Sequence, residues 1–273
     1  MTSKYQQPKK AYTNPEFLES KDARPLRILA EYMEPASRFD AYKVEDTIVF
    51  MGSARLKPRD VAEANLERAE AEGNSQDVAA ARLDLDMSKY YEDARVLAQR
   101  LTTWSKELDP TEKRFVVCTG GGPGVMEAAN RGASEARGMN VGLSISLPLE
   151  QHENPYVTRE LGFEFHYFFM RKFWFTYLAK AIIFFPGGFG TLDELFEMLT
   201  LLQTKKIRKH MPIVLFGSDF WQEVINFDTL VRYGTISPED VELVKITDSI
   251  DEAYAFLTQQ LTDYALPEPG ASL

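Results

Sequence analysis

The chain has 273 residues, 44% hydrophobic and 26% charged, enough to bury a substantial core in one large α/β domain or two smaller ones. A formal net charge of -10 argues against a nucleic-acid surface, and a single cysteine, Cys118, with three scattered histidines (His152, His166, His210), excludes an internal disulfide framework and argues against a zinc site. No apolar run approaches the roughly 18–20 residues that span a bilayer, and the opening MTSKYQQPKK lacks the apolar core of a signal peptide, so the expected setting is cytoplasmic, away from membranes.

Residues 1 to about 22 are polar without clear periodicity and predict a loose arm. Leu26, Ile28, Leu29 and Met33 then mark a short amphipathic helix, giving an N-terminal arm and helical extension over residues 1–45. DTIVFMG predicts the first strand. Between 59 and 108, Leu83, Met87, Tyr90, Tyr91, Ala94, Leu97, Ala98 and Leu101 recur at helical spacing, and Gly73 with Asn74 predicts a break into two helices. From there strands and helices alternate. RFVVCTGGG, NVGLSISLP (stopped by Pro148), FEFHYFF, AIIFFPGG and MPIVLFG read as strands, with EQHENPY as a loop. GVMEAANRGASEARG, RKFWFTYLAK, TLDELFEMLTLLQTKK, DFWQEVINFDTLVRYG, SPEDVELV and SIDEAYAFLTQQL read as helices, and PEPGASL as a loose tail. Several strands are continuously apolar and end in glycine or proline, the pattern of a parallel sheet covered by helices on both faces. With no internal repeat and no linker, residues 46–265 read as one α/β domain.

Ligands of open α/β sheets sit beyond the carboxyl ends of the strands. Three glycine-bearing turns fall there: FMGSAR (50–55, with Gly52 and Ser53), CTGGGPGVME (118–127, with Gly121 and Gly122) and FPGGFGTLDE (185–194, with Gly187, Gly188 and Gly190). One such turn is explained by tight strand-to-helix packing; three in one sheet point to a phosphate or nucleotide pocket. The usual nucleotide fingerprints do not fit. A G-x-G-x-x-G started at Gly120 meets Val125 at its sixth position, and one started at Gly188 meets Asp193. The dipeptide Gly-Lys of a P-loop never occurs. Thr191 and Glu194 have the spacing of a capping box, and Glu194 alternatively faces a sugar beside the phosphate. Arg171 and Lys172, in the apolar stretch FFMRKFWF, are either a snorkelling pair at a helix start or cations facing an anion. Cys118, Trp174 and Trp221 read as core, and His152 and His166 as residues without a special task.

PGGFGTLDE resembles the P-G-G-x-G-T-x-x-E motif of the LOG proteins, cytokinin riboside 5′-monophosphate phosphoribohydrolases formerly labelled lysine decarboxylases. MRK (Met170 to Lys172) resembles the family's arginine–lysine element, and GGGPGVMEAANRGA its first glycine-rich turn, in a form that differs from the G-x-M-G-A of plant members. The resemblance runs from about Thr47 to Leu261 and is carried most specifically by the nine-residue motif. It implies a Rossmann-like fold, a homodimer, and hydrolysis of a nucleoside 5′-monophosphate, AMP or an N6-modified AMP, to free base and ribose 5-phosphate, as in cytokinin biosynthesis. By position it implies that Gly188, Gly190 and Thr191 hold the phosphate and that Gly121 and Gly122 line the site. Arg171 and Glu194 match its catalytic pair, and Glu127 is a second candidate acid. The same pocket accommodates a rival reading: a carrier or sensor that binds a nucleotide-like ligand, molybdenum cofactor or an alarmone, without hydrolysing it. Neither a metal nor another cofactor is called for, and no recognisable pyridoxal-phosphate lysine site supports a decarboxylase.

Overall fold

A computed structural model describes residues 8–108, 114–147 and 154–270. Residues 1–7 of the predicted arm, Pro148, most of the EQHENPY loop with His152, and the last three residues of the tail lie outside those ranges. A short turn of helix, α1 (Pro15–Leu18), leads into α2 (Arg24–Ala41). This is the predicted N-terminal helix with a different buried stripe: Leu26, Leu29 and Met33 are about half exposed, whereas Pro35 and Phe39 are buried. Contact runs from Ile28 to Phe39, whose ring lies 5.0 Å from Phe163 and 5.3 Å from Trp174. The Trp174 indole N–H donates to the Glu31 carbonyl at 2.9 Å and fixes the helix against the domain.

The chain then runs β1 (Thr47–Met51), α3 (Arg59–Glu72), α4 (Ser75–Leu108), β2 (Val116–Thr119), α5 (Val125–Glu135), β3 (Asn140–Ile145) and β4 (Gly162–Phe165). It continues through α6 (Phe168–Tyr177), β5 (Ala179–Phe184), α7 (Phe189–Gln203), β6 (Ile213–Phe216), α8 (Ser218–Val224), α9 (Phe227–Arg232), β7 (Val244–Thr247) and α10 (Ile250–Gln260). The predicted break between α3 and α4 is at Gly73, left-handed at φ 74°.

The seven strands among the described residues are all parallel, in the order β4-β3-β2-β1-β5-β6-β7. The chain builds outward from β1 through β2, β3 and β4, then returns to β1's other edge with β5. The switch point therefore lies between β1 and β5, where a doubly wound sheet opens a crevice. Successive strand residues feed opposite layers, as a period of two requires. Ile48, Phe50, Val117, Ile183 and Val214 pack with α4, α5 and α10, whereas Val49, Met51, Cys118, Ile182 and Leu215 pack with α2, α6, α7 and α8. The central strands are buried on both faces, which is why they read as unbroken apolar runs.

Three expectations change. SPEDVELV is a 3-10 turn (Pro238–Leu243) followed by an unforeseen strand, β7, whose edge position leaves Lys245 exposed and breaks any apolar run. DFWQEVINFDTLVRYG is two helices, because the Asn226 side chain accepts the Thr229 N–H at 2.8 Å and starts α9 afresh. The FEFHYFF strand stops at Phe165, and the following helix takes Phe168 and Phe169 for its first turn.

Candidate active site

The three glycine-bearing turns meet at the switch point and are joined through the backbone of Ser53. Its N–H donates to the Pro186 carbonyl at 3.0 Å, and its carbonyl accepts the Val125 N–H, the first of α5, at 3.1 Å. Gly124 makes this approach possible: its φ is 71°, and a Cβ there would stand 2.2 Å from the Ser53 oxygen. The crevice so formed has a volume of about 600 Å³.

At its centre is the start of α7, and here the capping-box reading is corrected. The helix begins at Phe189, with Gly188 as N-cap and no side-chain cap, so Thr191 is already its third residue. The bare GGFG backbone enters the helical conformation two residues before the threonine. Thr191 instead lies over Gly187, where an added Cβ would meet its Oγ1 at 2.2 Å. Leu192 N–H reaches the Gly188 carbonyl at 3.0 Å. The N–H groups of Phe189, Gly190 and Thr191 precede it in the first turn, where an α-helix supplies no partner, and form an anion-accepting terminus. A Cβ at Gly188 or Gly190 would meet nothing within 4 Å, so both glycines leave space on the ligand side.

Glu194 follows in the second turn, 4% exposed, with Oε2 free of any hydrogen bond among the described residues. Burial raises its pKa to about 7, against the pull of Lys172 and Arg171. Arg171, from the first turn of α6, lines the same crevice between the rings of Phe168 and Phe175, 5.1 and 5.7 Å from its guanidinium. It makes no ion pair within 4.0 Å among the described residues, and its Nε has no acceptor. Burial pushes the guanidinium below its ordinary value while Glu194 and Asp193 pull it back. A carboxylate poised near neutrality beside an unsatisfied cation and an open helix N-terminus suits an anionic substrate that needs proton transfer next to its anion.

Of the sequence-predicted residues, Gly52, Ser53, Arg171, Gly188, Gly190, Thr191 and Glu194 line this crevice together. The others lie around it. Gly121 and Gly122 are buried scaffold: Asn154 Nδ2 donates to both their carbonyls at 3.1 and 3.0 Å, and Thr119 Oγ1 accepts the Gly121 N–H. Glu127 turns toward α4 and accepts the Tyr91 hydroxyl at 2.8 Å. Lys172 faces α7, paired with Asp193 at 2.8 Å and Glu197 at 2.7 Å. Burial pushes Lys172 down, and its two acids more than reverse that. Met170 is in the core, and Gly187 is the packing glycine under Thr191. Sequence reasoning missed Arg55, a crevice cation two residues beyond Ser53, which its place in the first turn could have flagged. It also missed Asn154, for which no local pattern exists.

A doubly wound parallel sheet with a crevice at its switch point defines a Rossmann-like α/β protein. Residues 126–257 match the family model described as possible lysine decarboxylase. The match begins inside α5 and includes α6 and α7 with Arg171 and Glu194. No curated protein matches the chain. Among solved structures, it is similar to a molybdenum cofactor binding protein from the phototrophic bacterium Rippkaea orientalis: 18% identity over 79% of this chain and 96% of that one, TM-score 0.49. It is also similar to the Moco carrier protein of Chlamydomonas reinhardtii: 19% identity over 80% and 99%, TM-score 0.45. Among the described residues, no helix is long and apolar enough to cross a membrane.

Proposed function

We propose that the crevice hydrolyses the N-glycosidic bond of a nucleoside 5′-monophosphate, AMP or an N6-modified AMP, to free base and ribose 5-phosphate. One observation carries the reading: a buried carboxylate near neutral pKa shares a crevice with an unpaired arginine and an open helix N-terminus. The family match over residues 126–257 and the LOG-like motif PGGFGTLDE support it.

In this mechanism the phosphate binds the N–H groups at the start of α7, helped by the macrodipole and by Arg171. That anchors the sugar against the second turn, where Glu194 sits. The bond between C1′ and the base nitrogen breaks with its electron pair leaving on the base, and positive charge develops on the ribose. Ionised Glu194 stabilises that charge and takes a proton from the attacking water, whose oxygen bonds to C1′. The proton returns to the departing base, so water is divided between the two products. Arg171 stays protonated throughout and serves as an anchor, not a base.

The test is base release from AMP and from adenosine, followed by chromatography. AMP is expected to be cleaved and adenosine left intact, because phosphate binding energy positions the sugar. Equal rates on both would remove the phosphate from the mechanism, and AMP bound but recovered whole would favour the carrier reading.

A further inference from the structure

A second cavity, of about 780 Å³, lies at the opposite end of the sheet, where β6 and β7 begin. Leu202, Ile207, Met211, Val244 and Phe256 give it an apolar floor. Its charged lining is Lys205, Arg208, Lys209 and Lys245 against one carboxylate, Glu242, in a chain whose net charge is -10. Part of this has a plain structural cause: Lys205 follows the end of α7, where a cation complements the macrodipole. Yet Lys205 sits at φ 54°, in the left-handed region that a glycine occupies more cheaply.

Lys209 also sits at a helix end, that of α6, but it is withdrawn from water. It is 9% exposed, and its Nζ donates to the Thr176 and Tyr177 carbonyls at the end of α6, at 2.7 and 3.0 Å. It has no carboxylate within 4.0 Å among the described residues, whereas the other buried cations of this end, Arg114 and Lys180, share Asp46. Two of its three donors are used, and the end of α6 supplies only a partial negative charge, so no full counter-charge touches it among the described residues. Burial, with repulsion from Lys180, brings its pKa down to about 7 against the attraction of Asp46. A buried ammonium is costly unless a counter-charge reaches it. The cavity beside it is where one can.

We propose that this cavity is a second binding site, for a small organic anion with an apolar body. The anionic group meets Lys209 and the cationic rim, and the body lies on the apolar floor. The inference is independent of the hydrolytic reading, because the two sites occupy opposite ends of the strands.

The probe is 8-anilinonaphthalene-1-sulfonate, with uncharged N-phenyl-1-naphthylamine as its comparison, titrated by fluorescence into the full chain. The sulfonate is expected to bind at one site at least about tenfold more tightly than the neutral compound at low salt. Excess AMP should not displace it. Joint replacement Arg208→Gln and Lys245→Gln, at two exposed rim positions, should weaken the sulfonate by about tenfold and leave the neutral compound unaffected. Lys209→Met should abolish the preference for the anion. That variant also loses two hydrogen bonds capping α6, so the rim variant keeps the test readable if Lys209→Met does not fold. Equal binding of the two compounds, an unaltered rim variant, or displacement by AMP would each overturn the proposal.

Discussion

At the amino ends of the strands, Asp46 is fully buried with Arg114 and Lys180 on its carboxylate, the Gly270 N–H donating to it, and the Arg114 guanidinium reaching on to the Ala265 carbonyl. At the carboxyl ends, Arg171 and Glu194 are also withdrawn from water, but Arg171 Nε and Glu194 Oε2 have no partner among the described residues. The first cluster closes on the protein itself and ties its C-terminal segment down. The second opens onto the crevice with those atoms unused, as the proposed ligand site requires. A buried polar group left unsatisfied costs stability, and for Arg171 and Glu194 that cost falls on two residues that line the crevice.

The largest effect should come from breaking the closed cluster. Asp46→Ala strands two buried cations and is expected to cost 3–5 kcal/mol of unfolding free energy, on the order of other broken buried pairs. Burial outweighs the cations and raises the Asp46 pKa, yet its removal still leaves them without a counter-charge. Base release per folded molecule should not change; a loss of activity beyond the loss of folded protein would show that the two ends are not separate.

Glu194→Gln should cut AMP hydrolysis by about a hundredfold or more. Its stability should move the other way. With a folded pKa of about 7 against an ordinary 4.5, the native state binds the extra proton, so wild-type stability is complete below 4.5 and drains as pH rises through about 7. Glutamine removes that loss. The variant should match the wild type in thermal unfolding at pH 4 and exceed it at pH 8 by up to ~3 kcal/mol. A variant less stable at pH 8 would mean that Glu194 is held by contacts other than those described. Arg171→Ala should lower kcat/KM for AMP by roughly 30-fold, about 2 kcal/mol, without loss of folded protein. Unchanged kinetics would make Arg171 a surface cation with a buried stem.

The smallest effects separate adjacent glycines. Gly187→Ala forces a methyl against Thr191 and should destabilise by about 1–3 kcal/mol. Gly188→Ala has open space and should shift stability by less than about 0.5 kcal/mol while raising KM for AMP, since the methyl enters the phosphate's place. Two variants with the same thermal profile would erase the distinction between packing and ligand-side glycines.

The central strands were legible because burial on both faces forces continuous apolar runs, and the three turns because parallel strands must end in tight entries to helices. β7 was not, since an edge strand with Lys245 in water carries no such run. The start of α7 was misjudged for a local reason: Thr191 and Glu194 have capping-box spacing, but Gly187 provides a seat for the threonine that only the folded chain reveals. Glu127 and Asn154 show the limit of local patterns. The partner of Glu127 is Tyr91, 36 residues away, and Asn154 holds glycine carbonyls 32 and 33 residues back. Side chains whose duties are set across such distances look like ordinary polar residues in the sequence.

The hydrogen bond from Gly270 to Asp46 joins residues 224 positions apart. During vectorial synthesis β1 is made before every group that completes the setting of Asp46: Arg114, Lys180 and lastly Gly270. Closing so large a loop must await most of the chain. The amino end of the first strand therefore has its finished environment only once residues 265–270 are made, and the carboxylate at its foot couples the first strand of the sheet to the segment that follows α10.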